Sequence, residues 1–372
     1  MRVRPALYHL FSPQFHYADR IYNKEVAHFP RIFPTAESEL ENAAIAVTGP
    51  GSEKPFLTMA TRHVPDLHLT GAGCTTQCFP FYTYDEDGSN RRENITDWAL
   101  NEFRTRYNDS NITKWDIFHY VYAVLHHPEY RERYAANLKR ELPRIPFVGG
   151  TESAERDTNI AQGVSPGSAG ISEPESLQGR HKTADPSTPP EAGCARDDKV
   201  KDGSENRGPS TPVAAATSAR DDSSVFWTFA SAGKRLAELH VNYEQQPEYP
   251  LERVEKGQLN WRVEKMRLSK DKTTLFYNDF LTLRGIPPET YEYRLGNRSA
   301  LEWVVDQYQV STDKRSGITN DPNRADDAEY VVRLIGQVIT VSLETMKIVK
   351  ALPPLTIAVT RSTPANAPAS AP

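Results

Sequence analysis

From Asn94 to Leu142 the apolar positions recur every three or four residues, whereas before residue 90 they fall in short runs. Thr96 or Asn94 can cap a helix carrying Trp98, Leu100, Phe103 and Tyr107, and Thr113 can cap a second carrying Ile117, Tyr120, Val121, Val124 and Leu125. Pro128 suits the first turn of a third, with Tyr130, Tyr134 and Leu138 on one stripe. Upstream, Ala44 to Val47, Phe56 to Ala60 and Cys78 to Tyr84 are candidate strands, with turn signals at Gly49-Pro50-Gly51 and Asp87-Gly88.

Farther along, Phe226, Phe229, Ala230, Leu236 and Leu239 predict a helix from Val225 to Asn242. Trp261 to Leu283 reads as two or three strands around the polar turn Ser269-Lys270-Asp271-Lys272. Leu301, Val304, Val305 and Tyr308 predict a helix from Ser299 to Tyr308, and a long pattern from about Asp326 to Leu352 predicts a last helix, stopped by Pro353-Pro354. Its apolar run from Val331 to Val349 is broken by Arg333, Gln337, Ser342, Glu344 and Lys347. It therefore reads as a core helix, and no stretch approaches the ~20 apolar residues that span a bilayer. The chain has no internal repeat.

Composition changes this picture in one place. The hydrophobic fraction is only 38% and there are 28 prolines. Both trace to Gly149–Ser224, a Ser-, Thr-, Gly-, Pro-, Ala- and Asp-rich segment almost without large apolar side chains. Such a segment buries too little apolar surface to offset its ordering entropy and is expected to be disordered. The expected architecture is α+β: helical-bundle elements with small β-sheets, in two lobes joined by the long disordered insertion. The divisions are 1–148, the insertion 149–224, 225–361, and a disordered tail 362–372. The insertion carries 13 acidic and 8 basic residues, which accounts for the whole net charge of −5. The remaining body is neutral, so any contact with phosphate must come from local clustering of cations. Cys74, Cys78 and Cys194, without a signal peptide, point to a reducing cytoplasm.

One run is more specific than any of these patterns. Gly296-Asn297-Arg298-Ser299-Ala300-Leu301-Glu302-Trp303 opens as a polar turn and becomes helical, and Ser316-Gly317-Ile318 and Asn320-Asp321-Pro322-Asn323 follow it. Further pieces are Phe15 to Asn23, Asp66-Leu67-His68, Gln77 to Tyr84, Ile117 to Phe147, Leu236 to Glu244, Tyr277-Asn278, Val341 to Thr345 and Leu352-Pro353. Together they resemble the C-terminal specificity region of Type ISP restriction–modification enzymes, in which one polypeptide carries nuclease, helicase, adenine methyltransferase and target recognition. The resemblance covers only the last part and most of the chain outside the insertion. It departs at Tyr8-His9-Leu10-Phe11, where related enzymes have Tyr-Arg-Pro-Phe, and in the length of the insertion.

That resemblance implies sequence-specific recognition of double-stranded DNA, serving methyltransferase and helicase domains that lie upstream or on a separate chain, with no membrane partner. The chain has no Asn-Pro-Pro-Tyr motif for holding a flipped adenine, no glycine-rich turn for S-adenosylmethionine and no Gly-x-x-x-x-Gly-Lys-Ser/Thr cradle for ATP. Ser231-Ala232-Gly233-Lys234 lacks the first glycine, and Asn320-Asp321-Pro322-Asn323 reads as a turn. Catalysis is accordingly not assigned to this chain, and S-adenosylmethionine, ATP and Mg belong to the family's other domains.

Four groups are the DNA-binding candidates. Arg91, Arg92 and Asn94 follow a turn, where guanidinium forks reach phosphates or guanine and an amide reads adenine. Arg133 and Arg140 fall on roughly one face of the third helix. Lys265, Lys270 and Lys272 surround the predicted hairpin, and Asn297 and Arg298 stand at a helix N-terminus, where anions are attracted. Each group also has a structural reading as a solvated surface or a helix cap. Two other functions stay open: a folded remnant of a truncated or split enzyme, and a zinc hydrolase at His63, His68, Cys74 and Cys78, although paired Cys-x-x-Cys knuckles are missing and no metal is assigned.

Overall fold

The computed structural model describes residues 3–17, 28–69, 71, 73–149 and 213–357, with side chains in the last stretch from Asp222 onward. The expected disorder of the insertion between positions 150 and 212 and of the tail from 362, together with Cys194 and positions 18–23 of the Phe15 run, lies outside them.

Short strands form most of the beginning: β1 (Val3–His9), β2 (Ser12–Tyr17), β3 (Ala44–Thr48), β4 (Thr58–Thr61), β5 (Val64–Pro65), β6 (Thr76–Pro80), β7 (Tyr82–Thr83) and β8 (Arg92–Glu93). β1 and β2 make an antiparallel hairpin with β5 parallel to β1. β3 is the centre of an antiparallel sheet between β4 and β6. All its residues are buried, so it reads as an unbroken apolar run instead of an alternation. β7 and β8 pair as a ribbon.

Helices α1 (Phe29–Ile32) and α2 (Ala36–Glu41) precede β3; α3 (Asp97–Tyr107), α4 (Lys114–His126), α5 (Pro128–Arg133) and α6 (Ala135–Leu138) follow β8. Thr96 caps α3 by accepting from the Ala99 N–H, and Thr113 forms a capping box with Asp116 at α4. The single third helix is corrected: the chain breaks at Tyr134 (φ −107°, ψ 18°) and helical structure ends at Leu138. The Tyr130 hydroxyl donates to the Arg144 carbonyl at 2.8 Å. A continuous helix would hold those residues about 21 Å apart, so the bond requires the chain to double back. Arg133 and Arg140 therefore share no helix face.

After the insertion, α7 (Val213–Val241) begins before the expected Val225, over a Val-Ala-Ala-Ala stretch with good helix formers. β9 (Glu252–Glu255), β10 (Arg267–Leu268), β11 (Thr274–Phe276) and β12 (Leu281–Arg284) form a sheet in the order β10-β11-β12-β9. A short hairpin of β13 (Arg294–Leu295) and β14 (Arg298–Ser299) runs into α8 (Ala300–Gln307); β15 (Ser311–Thr312) and β16 (Thr319–Asn320) pair next, and α9 (Tyr330–Lys350) follows.

The α+β segments before and after the insertion share one apolar core, with Ile45, Met59 and Tyr120 on one side and Phe226, Phe229, Trp303 and Ile335 on the other. α4 and α7 meet closely because Gly233 has no side chain: a Cβ there would stand 1.8 Å from the His119 carbonyl oxygen. A buried relay crosses this seam. The Ala60 N–H donates to the Tyr122 hydroxyl (2.8 Å), which lies 2.6 Å from His240 Nδ1, while His240 Nε2 lies 2.8 Å from Thr345 Oγ1. The insertion leaves and re-enters at one point. Arg106 donates to the buried Asp222 carboxylate (3.2 Å) and to the Gly149 carbonyl (3.1 Å), and the Gly149 N–H donates to Thr356 (2.8 Å).

Candidate nucleic-acid interface

Three of the predicted residues come together around α8. The turn from Ser269 to Lys272 is closed by the Asp271 carboxylate, which accepts from the hydroxyls of Ser269 (2.5 Å) and Thr273 (3.0 Å). Lys272 takes a left-handed conformation (φ 59°) and points its ammonium at Glu302, 2.7 Å away, and at the Tyr291 ring. The β13–β14 turn brings Asn297 and Arg298 to the same place, with Gly296 supplying the positive φ of 68°. Arg298 pairs with Asp306 at 2.5 Å and lies over the Trp303 ring. Leu268, Lys272, Arg294, Asn297, Arg298 and Glu302 contribute to the lining of one open cleft of about 360 Å³, completed by the exposed side of α8.

The α8 N-terminus itself is committed. Ser299 accepts from the Glu302 N–H, and the Glu302 carboxylate accepts from the Ser299 N–H at 2.9 Å. Anion affinity here must come from side chains, not from free helix amides. Arg298 pairs with Asp306 and leaves Glu302 to the capping box and Lys272.

Lys270 occupies the same turn, and Lys265 lies on the strip whose Glu264 carbonyl accepts from the Val310 N–H just beyond α8 (2.9 Å). Both are exposed and have no carboxylate partner among the described residues. Arg294 was missed by sequence reasoning. The two-residue strands give no alternation to detect, and the only signal was a cation two residues before Gly296.

The other candidates lie elsewhere. Arg133 and Arg140 are exposed, without carboxylate partners among the described residues. One loop runs from the residue before Arg140 to the β13–β14 turn: the Gly51 N–H donates to the Lys139 carbonyl (2.8 Å), and a Cβ at Gly296 would lie 3.6 Å from the Pro55 carbonyl oxygen. Arg91 pairs with Glu41 on α2 at 2.5 Å over the Tyr82 ring, and Arg92 pairs with Asp85 at 2.8 Å. Asn94 is half-buried and donates to the Pro80 carbonyl (3.1 Å), which commits its amide to the β6 end.

The four metal-like residues take separate roles. Cys74 lies 2.7 Å from the Ser52 hydroxyl, and Cys78 is a β6 residue opposite Ala46 whose thiol is pushed up to about 12 by burial. His63 is shifted down by burial, and His68 is exposed. Among the described residues no group of three or more His, Cys, Asp or Glu side chains is placed to hold a metal.

A family model described as the Type ISP C-terminal specificity domain matches residues 1–157 and 218–336. The chain belongs to this family. Solved structures agree with that placement for the specificity domain across 96% of its length. It is similar to a nuclease-deletion mutant of the Type ISP restriction–modification enzyme LlaGI in complex with a DNA substrate mimic (29% identity, TM-score 0.65). It is also similar to the ATP-dependent Type ISP enzyme LlaBIII bound to DNA (26%, 0.68) and to the DrdV–DNA complex (32%, 0.67). The chain spans 25%, 19% and 29% of the length of those chains, respectively. Among curated proteins none matches it.

Proposed function

We propose that this chain is the DNA target-recognition part of a Type ISP-like restriction–modification adenine methyltransferase, and that the α8 cleft is on its DNA-contacting face. The carrying observation is the convergence of Lys272, Arg294, Asn297 and Arg298 on one open cleft in a specificity domain. Lysine and arginine there neutralise phosphates, while the Asn297 amide and the arginine forks reach base edges. Lys265 and Lys270 extend the basic strip on one side. The similarity over 96% of the chain to enzymes solved with DNA supports this reading. Chemistry on the adenine, and the S-adenosylmethionine, ATP and Mg it requires, would belong to domains outside this chain.

The test starts with selection of a duplex from a random library by the purified chain, alone and with a family methyltransferase–helicase portion added. Binding of the selected and scrambled duplexes is then compared at 50 and 200 mM salt. A preferred sequence and an affinity that falls with salt by at least tenfold are expected. A folded sample that binds no duplex in either setting overturns the proposal in favour of a non-functional remnant.

A further inference from the structure

We infer that His126, Arg131 and Tyr293 enclose an internal binding site for a single water molecule, which fixes the base of the β13–β14 hairpin. His126 closes α4, Arg131 lies on α5, and Tyr293 immediately precedes β13. His126 and Tyr293 are only 3% and 2% exposed. His126 Nε2, one Arg131 terminal nitrogen and the Tyr293 hydroxyl are all buried, and none has a hydrogen-bond partner among the described residues. The groups neighbour one another, and the Arg131 charge acts on both His126 and Tyr293. The Tyr293 ring stacks on His240 at 5.2 Å and on His126 at 6.4 Å, and His126 lies 5.2 Å from His240. Among the described residues no carboxylate is hydrogen-bonded to Arg131, whose Nε donates to the Leu125 carbonyl at 2.7 Å.

Three orphaned polar atoms in one buried cluster are costly unless something bridges them. Their chemistry selects the bridge. His126 Nδ1 lies 2.9 Å from the Tyr122 carbonyl, which can only accept, so Nδ1 carries the proton. Burial, with Arg131 and a second imidazole alongside, keeps the ring neutral, and Nε2 presents a lone pair. The site then consists of one acceptor (His126 Nε2), one donor (Arg131) and one hydroxyl that does either (Tyr293). An anion would face the imidazole lone pair. A water donates to His126, accepts from Arg131 and satisfies Tyr293, the three bonds usual for buried water.

The full chain tests this in two ways. A crystal structure at high resolution should show one ordered water within hydrogen-bond reach of all three atoms. Tyr293→Phe, which keeps the ring and removes the hydroxyl, should lower Tm by about 2–4 °C, because it strips one bond from a bridged water. In a dry cluster the hydroxyl is an unpaired polar group, and its removal would leave Tm unchanged or raise it. That outcome overturns the inference, and so does an absence of density between the three atoms. Stabilisation of the native chain by halide, with anomalous bromide density in the same place, would assign an anion and overturn it as well. If the variant does not fold, the density in the native protein decides.

Discussion

Along the α4–α7 seam, Tyr122, His240 and Thr345 are all buried and linked in a fixed order, whereas around the α8 cleft Lys272 and Arg298 face solvent and hold carboxylates. The same kinds of group serve opposite ends. A buried donor that loses its partner costs about 1–3 kcal/mol, so these seam groups keep their partners. Exposed ion pairs contribute about 0–1 kcal/mol, so a carboxylate at such a site exchanges for a phosphate at little loss. The seam fixes the fold, and the cleft keeps its charges transferable.

The strongest way to break the comparison is at the seam. Gly233→Ala places a methyl against the His119 carbonyl at 1.8 Å, so α4 and α7 must separate. We expect a loss of about 3 kcal/mol or more in urea unfolding. A cost below about 1 kcal/mol would show that the seam is not tightly packed.

Acid should act next, and on the seam first. Burial lowers His119 to about 4 and His240 to about 3, and it holds His126 well below the ordinary 6.5. The unfolded chain takes up these protons near pH 6.5, whereas the folded chain takes them up only near pH 4 at His119 and pH 3 at His240, and well below 6.5 at His126. The stabilisation is thus complete above pH 6.5 and is lost as pH falls from there towards 3. The expected slope is about 1.4 kcal/mol per pH unit for His240 down to pH 3 and for His119 down to pH 4. Urea titrations at pH 7.5, 6 and 5 measure it, and a flat response would exclude neutral buried imidazoles.

At the cleft the readout changes. Lys272→Glu with Arg298→Glu should weaken duplex binding about tenfold to a hundredfold and flatten its salt dependence. Tm should move by no more than about 4 °C. Loss of folding together with binding would mean that these pairs belong with the seam.

The smallest effect is expected at the insertion. Its ends are already held together, since a Cβ on Gly149 would lie 2.8 Å from the Asp222 carboxylate. Replacing positions 150–218 with a short Gly-Ser linker should change unfolding free energy by about 1 kcal/mol or less, because loop closure depends weakly on length. A large loss would show that the replaced residues support the body.

Much of this was legible in the residues. Thr96, Thr113 and Ser299 mark helix starts through one hydroxyl and one nearby amide, a local contact that sequence spacing specifies. β3 was readable because a strand buried on both faces carries an apolar run, here Ala44 to Val47. Arg294 was not readable, because a two-residue strand has no period. The helix expected from Pro128 onward failed because a long contact, Tyr130 to Arg144, overrode local helical preference.

The sequence by itself determined the helix caps, the α+β class, the low-complexity insertion and the family resemblance, all carried by residue type and short spacing. Only the tertiary structure decided which cations share a surface. Lys272 and Arg298 line one cleft because their two hairpins pack beside α8, where each meets a carboxylate one helical turn from the other's, Glu302 and Asp306. Arg91 and Arg92 are tied instead to Glu41 and Asp85. Charge in a sequence has a sign and a position along the chain, but its direction in space is set by how distant elements pack.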